Sequence, residues 1–155
     1  MREIKVGNKV PGFSLPATGG GTWTLADAAG GKLVIYFYPR DMTSGCTRES
    51  QDFRDLHGAL RKAGAMVVGV SRDSVASHEK FAAKEALPFP LLADTDERVC
   101  RLFDVIKTKS LYGRKYLGVE RSTFLLDAAG RLQQEWRNVK VPGHAEAVLE
   151  AARNL

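Results

Sequence analysis

The sequence predicts an α/β fold built on a central mixed β-sheet flanked by helices. Three observations carry this prediction: short apolar runs alternate with amphipathic stretches, glycines and prolines stand at the junctions, and the series closes on two adjacent strand-like runs and a last helix. The chain has 155 residues, the size of one domain, so residues 1–155 are expected to form a single unit. Hydrophobic residues at 44% and charged residues at 26% match ordinary globular usage and exclude disordered, collagen-like and disulfide-scaffold classes.

Along the chain, Gly19-Gly20-Gly21 and Gly30-Gly31 read as turns. Residues 33–38, Leu-Val-Ile-Tyr-Phe-Tyr, form a continuous β-branched and aromatic run, as expected of a strand buried on both faces, and Pro39 ends it. A helix is expected from about residue 43 to 62, with Cys46, Phe53, Leu56 and Leu60 at roughly helical spacing and Gly64 as its stop. Residues 65–71 form the next strand, and Asp73 or Ser74 caps a helix carrying Val75, His78, Phe81 and Ala82. Residues 88–93 read as a short strand bounded by proline, and Asp94-Thr95-Asp96 opens a helix with Val99, Leu102 and Phe103 on one side. Residues 122–127 and 131–136 look like a hairpin around Ala128-Ala129-Gly130, and a final helix runs from about 143 to 152. The thioredoxin-like arrangement fits this order, as do other three-layer α/β folds.

The chemistry concentrates where the buried strand runs into the polar loop at residues 39–45 and delivers Cys46 to the first turn of a helix. Free backbone N–H groups and the positive helix end favour an anion there, so a thiol at Cys46 should ionise more readily than a free one. Lowering its pKa by about two units needs roughly 2.7 kcal/mol, more than an exposed helix end supplies, so a cationic or hydrogen-bonding partner is required. Thr43 either caps the helix or brings its hydroxyl to a bound substrate. Cys46 itself is either a small core residue or a nucleophile, and its polar, glycine-containing flank favours the nucleophile.

The pattern Pro39-x-x-x-Thr43-x-x-Cys46, directly after Phe37-Tyr38, resembles the signature of the peroxiredoxins, with Cys46 in the place of the peroxidatic cysteine. Residues 6–13, 69–74 and 121–127 resemble the family's opening, its second strand and turn, and the segment carrying its active-site arginine. The wording Phe37-Tyr38-Pro39-Arg40-Asp41 and Gly45-Cys46-Thr47 is most similar to the subfamily called bacterioferritin comigratory protein or PrxQ. The resemblance implies a thioredoxin-like fold and thiol-dependent reduction of hydrogen peroxide or organic hydroperoxides, without metal or bound organic cofactor. Cys46 thiolate would attack the distal peroxide oxygen and become a sulfenic acid. Thr43 and Arg121 would hold the peroxide oxygens, Pro39 would shield the site, and Glu49 would orient Arg121. Taken alone, Arg121 also reads as a strand-edge arginine in water.

The sequence departs from the family where a second cysteine would resolve the sulfenic acid. One usual position holds Gln51, and another falls in Phe81-Ala82-Ala83. Cys100 is the only internal candidate, one step from the apolar side of its helix, and it reads as a core-edge structural cysteine or as a resolving one. The expected mechanism is a one-cysteine cycle recycled by an external thiol such as glutathione, glutaredoxin or thioredoxin.

Other features read more blandly. The net charge of +5 and the basic stretch containing Lys107, Lys109, Arg114, Lys115 and Arg121 suggest a solvated loop, or an anion- or nucleic-acid-binding module, but no nucleic-acid motif accompanies them. A missing Cys-x-x-Cys pair counts against a disulfide reductase. His57, His78 and His144 are scattered without metal-ligand spacing. The polar start Met1-Arg2-Glu3-Ile4-Lys5 and the absence of a ~20-residue apolar run predict a cytoplasmic protein without membrane contact, and the subfamily resemblance suggests a monomer.

Overall fold

The computed structural model describes residues 4–155, so most of the polar start falls outside the described residues. The described residues form nine strands, β1–β9, and five α-helices, α1–α5. The central sheet has the order β5-β4-β3-β8-β9, with β3 (Lys32–Phe37) at its middle. β4 (Ala65–Ser71) pairs parallel with β3 and with β5 (Leu91–Ala93), whereas β8 (Ser122–Leu126) pairs antiparallel with β3 and with β9 (Leu132–Trp136), so the sheet is mixed as predicted.

Alternation along β3 divides the interior in two. Leu33, Ile35 and Phe37 pack on one face with Val68, Val70, Phe124, Val99, Cys100 and Phe103. Val34, Tyr36 and Tyr38 pack on the other with Val67, Leu125, Cys46, Phe53 and Phe81. The second face is covered by α1 (Ser44–Asp55), α2 (His57–Lys62), α3 (Val75–Glu85) and α5 (His144–Arg153). α4 (Arg98–Leu102) lies on the first face, together with the small hairpin of β1 (Ser14–Pro16) and β2 (Thr22–Thr24). Among the described residues, no helix is long and apolar enough to cross a membrane.

Two expectations need correction. The helix expected over 43–62 is two helices, because Leu56 (φ −96°, ψ 2°) leaves the helical region between α1 and α2. The basic stretch expected as a loop is an antiparallel hairpin of β6 (Ile106–Leu111) and β7 (Arg114–Val119). Its turn residues Tyr112 (φ 50°) and Gly113 (φ 78°) are both left-handed, as a two-residue hairpin turn requires. Most of this hairpin is exposed, so no half-buried alternation marks it in the sequence.

Candidate active site

Tyr36, near the end of β3, and Tyr38, just after it, lie beneath α1, and their packing sets the loop that follows. Gly69 of β4 faces Tyr36, where a Cβ would lie 2.8 Å from the ring, so the ring can lie flat and its hydroxyl can meet Ser50 at 2.8 Å. Tyr36 also stacks on Phe53 of α1 at 4.8 Å. These contacts anchor α1 on the sheet and fix where its N-terminus falls.

Thr43 stands at the N-cap of α1, but its hydroxyl does not cap. It donates to the Arg40 carbonyl at 2.9 Å, which commits its proton and leaves its oxygen lone pairs free at the exposed rim. Cys46 is the third residue of α1 and is completely buried, contrary to what its polar flank suggested. The reason is geometric: its side chain turns inward among Tyr36, Tyr38 and Phe53, and Arg121 comes within hydrogen-bond reach from the sheet side. Arg121 Nη2 lies 3.4 Å from Cys46 Sγ, and its Nη1 donates to Glu49 Oε1 at 2.7 Å.

Arg121 immediately precedes β8, and its carbonyl accepts from the Val139 amide at 3.0 Å. Gly45 makes its approach possible, since a Cβ there would meet Nη2 at 3.1 Å. Burial works against the Arg121 charge, but Glu49 and Cys46 outweigh it. Glu49 lies one turn beyond Cys46 and is buried, with Oε2 lacking a hydrogen-bond partner among the described residues. Burial pushes its pKa up to about 7 despite the attraction of Arg121. His144 bonds Thr123 at 2.8 Å, and burial, then the Arg121 charge, lower its pKa to about 4. Pro39 is half-buried and lines a cleft together with Arg121.

A network that sequence reasoning missed ties this loop to α3. Asp41 accepts from Tyr38 Oη at 2.6 Å and Ser77 Oγ at 2.7 Å, and its Oδ2 lies 2.8 Å from His78 Nδ1. Burial opposes the Asp41 charge, but the bonds from His78, Tyr38 and Ser77 together hold its pKa below the ordinary value. His78 Nε2 faces the Leu92 carbonyl at 2.9 Å, so both ring nitrogens face acceptors. The Asp41 amide donates to Asp73 Oδ2 at 2.8 Å, which also accepts from Ser71 Oγ. Asp41, Asp73 and His78 come close enough to hold a metal ion, although the scattered histidines gave no such spacing. Their facing oxygens are already engaged by neighbouring donors, so the cluster reads as a closed hydrogen-bond network. No local pattern in the sequence signals it, because its members come from the loop after β3, the segment after β4 and α3.

Cys100 is elsewhere. Expected at a core edge, it lies inside the core, completely buried on the sheet face opposite Cys46. Burial, then the Asp94 carboxylate, push its pKa well above the ordinary thiol value.

Comparison with known proteins agrees with this arrangement. Residues 6–135 match the AhpC/TSA family. The chain is 56% identical to "Peroxiredoxin Bcp" of Xanthomonas campestris pv. campestris over 143 residues, 91% of this chain and 89% of the relative. It is 45% identical to "Peroxiredoxin Bcp" of Bacillus subtilis over 152 residues, 98% of this chain and 97% of the relative. The solved peroxiredoxin Q of Xanthomonas campestris superposes with a TM-score of 0.88 at 55% identity, covering 92% of this chain and 90% of that one. PrxQ of Xylella fastidiosa superposes with a TM-score of 0.93 at 41% identity, covering 99% and 98%. With this coverage and these identities, the chain belongs to the AhpC/TSA family, in its peroxiredoxin Q/Bcp subfamily.

Proposed function

We propose that this chain is a thiol peroxidase that reduces hydrogen peroxide and organic hydroperoxides at Cys46. The observation that carries this reading is the Arg121 guanidinium, 3.4 Å from Cys46 Sγ and held there by Glu49. A cation at that distance stabilises a thiolate, and a guanidinium fork can also hold the oxygens of a peroxide. The thiolate attacks the distal oxygen, an S–O bond forms as the O–O bond breaks, and the departing alkoxide or hydroxide takes from solvent the proton that the thiol released, leaving as alcohol or water. Arg121 stabilises the charge moving onto the leaving oxygen. Thr43, whose proton is committed to Arg40, accepts the hydrogen bond of the peroxide O–H. The exposed segment around Met42 and Thr43 is the side from which substrate reaches the enclosed sulfur.

The cycle uses one cysteine of this chain. Cys100 stands across the sheet, and neither Gln51 nor the Phe81-Ala82-Ala83 segment offers a thiol. An external thiol therefore condenses with the Cys46 sulfenic acid, releasing water and leaving a mixed disulfide. A second thiol then frees Cys46 and carries away the disulfide product. Glutathione, glutaredoxin and thioredoxin are reductants of the right chemistry.

The test treats wild type, Cys46→Ser and Cys100→Ser with one equivalent of peroxide and follows peroxide loss and intact mass. Wild type and Cys100→Ser are expected to gain one oxygen, and Cys46→Ser to consume no peroxide. If Cys46→Ser consumes peroxide like wild type, the reading fails. If wild type loses two hydrogens where Cys100→Ser gains an oxygen, Cys100 is the resolver and the one-cysteine cycle is wrong.

A further inference from the structure

Next to Arg121 a cleft of about 380 Å³ opens between the base of the β6–β7 hairpin and the segment around Asn138, with Pro39, Lys107, Lys109 and Glu120 also on its walls. Its charges are unevenly matched. Lys107 pairs with Asp104 at 3.2 Å, and Arg121 is engaged by Glu49 and Cys46. Among the described residues no carboxylate pairs with Lys109, although Glu120 attracts it from a distance.

Lys109 is not a freely solvated side chain. Its register partner across the hairpin is Tyr116, but its Cδ and Cε lie over Gly118, where a Cβ would come within 3.1 and 3.3 Å of them. Gly118 is two residues nearer the base of the hairpin, so the missing Cβ lets the lysine stem bend toward Glu120 and Arg121. Partial burial first, and Arg121 next, lower the pKa of Lys109, while the sulfur of Cys46 acts in the opposite sense. The stem thus lies over Gly118 and Lys109 lines a polar cleft together with a second cation, Arg121.

We infer that Lys109 is a binding residue for a carboxylate, holding the anionic end of a small molecule whose reactive end meets Cys46. This rests on the peroxidase reading above and adds a substrate class to it. The walls are mostly polar, and the volume suits a chain of a few carbons more than a long lipid tail. Two molecules carry this chemistry: a short hydroperoxide bearing a carboxylate, and a peptide thiol such as glutathione. The first would use Lys109 in the oxidation of Cys46 and the second in its reduction.

The experiment measures both halves of the cycle by stopped flow for wild type, Lys109→Gln, Gly118→Ala and, as a control on the exposed side of the same hairpin, Lys115→Gln. The oxidative arm compares 4-hydroperoxy-4-methylpentanoate with its methyl ester. The reductive arm compares glutathione with its diethyl ester, in which both carboxylates are blocked. Lys109→Gln keeps most of the stem and removes the charge, whereas Gly118→Ala keeps the charge and displaces the stem. Both are expected to lower the acid-to-ester rate ratio about threefold to fivefold in one arm, as for a partly exposed ion pair, with Lys115→Gln matching wild type. The affected arm identifies the source of the carboxylate. Ratios unchanged in both arms by Lys109→Gln would overturn the inference while leaving the peroxidase reading intact. A wild type inert to hydrogen peroxide would overturn both.

Discussion

The two faces of the central sheet each enclose one thiol, and burial does not distinguish them. Cys46 and Cys100 are both 0% exposed. On the Cys46 face the nearest charged group is the Arg121 guanidinium, and the surroundings include Asp41, Glu49, Ser50, His78, Thr123 and His144. On the Cys100 face the nearest is a carboxylate, with Asp94 Oδ2 accepting from the Cys100 amide at 2.6 Å amid an otherwise apolar cluster. A cation beside a buried thiol favours the thiolate, and a carboxylate suppresses it. With Cys46 as the proposed nucleophile, what separates two equally buried sulfurs is the sign of the adjacent charge and the contact that holds it. The Cys46 face encloses charged groups that an apolar core would not tolerate unpaired.

The largest effect is expected from breaking the network that ties the Cys46 loop to α3. Asp41 accepts from Tyr38 and Ser77 and lies 2.8 Å from His78, joining the Cys46 loop to α3, and leaving these buried partners unpaired together costs about 3–5 kcal/mol. Asp41→Ala should lower stability in urea by that order. It should also speed native-state maleimide labelling of Cys46 more than that of Cys100, whose face it does not touch. A loss below about 1 kcal/mol, with both thiols labelled as in wild type, would show that the network does not hold the loop.

Removing the cation itself comes next. Arg121→Gln should slow oxidation of Cys46 by hydrogen peroxide about 10²- to 10³-fold, the usual cost of losing one preorganised donor to a developing oxyanion. Arg121→Lys keeps the charge but cannot fork to Glu49 Oε1 and Cys46 Sγ together, so its rate should fall between the two. A Gln variant within tenfold of wild type would mean that the charge comparison between the faces does not account for the reactivity of Cys46.

Much of this comparison was legible in the sequence, and the remainder was not for identifiable reasons. Residues 33–38 announced a strand buried on both faces because nothing polar interrupts them, and the closing hairpin and helix followed from ordinary turn and amphipathic patterns. The β6–β7 hairpin escaped because it projects into solvent and carries lysines where a half-buried strand would carry apolar residues. At the site, the spacing of Thr43, Cys46 and Glu49 is local and could be read, whereas Arg121 emerged only by resemblance, since it lies 75 residues from Cys46 in the chain. Asp41 and His78 are 37 residues apart, and no local pattern signals that a carboxylate after one strand will meet an imidazole on a later helix. Gly45 and Gly118 look like loop and strand glycines until the side chains they admit, Arg121 and Lys109, are in place.

Glu49 sharpens the comparison through pH. Its folded pKa of about 7 stands above its ordinary value of 4.5, so the folded chain binds that proton more tightly than the unfolded one. The sign follows: the penalty of ionising Glu49 is absent below pH 4.5, grows as pH rises, and is complete above pH 7. Relative to Glu49→Gln, wild type should lose stability across that window by on the order of 3 kcal/mol. His144 acts in the opposite sense, since its pKa of about 4 lies below the ordinary 6.5 and stability is lost as pH falls through that range. It is present in both proteins and cancels in their difference. Urea unfolding of the pair at pH 5 and pH 8 measures the effect, and a difference that does not change with pH would place the Glu49 titration outside this window.

The smallest effect is expected on the opposite face. Asp94 Oδ1 and Oδ2 accept the amides of Val99 and Cys100, at 3.2 and 2.6 Å, and so tie down the start of α4. Asp94→Asn keeps one acceptor oxygen and loses the other together with the charge, which should cost about 1 kcal/mol, as for a helix cap. Burial is the first cause of the raised Cys100 pKa and Asp94 the second, so removing the charge relieves only part of the suppression. No guanidinium replaces it. Cys100 should therefore stay silent toward peroxide in the Asp94→Asn, Cys46→Ser double variant, with intact mass unchanged after one equivalent. Oxygen uptake by that variant would mean that the carboxylate alone silences Cys100, and that an adjacent cation is not needed to make a buried thiol of this fold reactive.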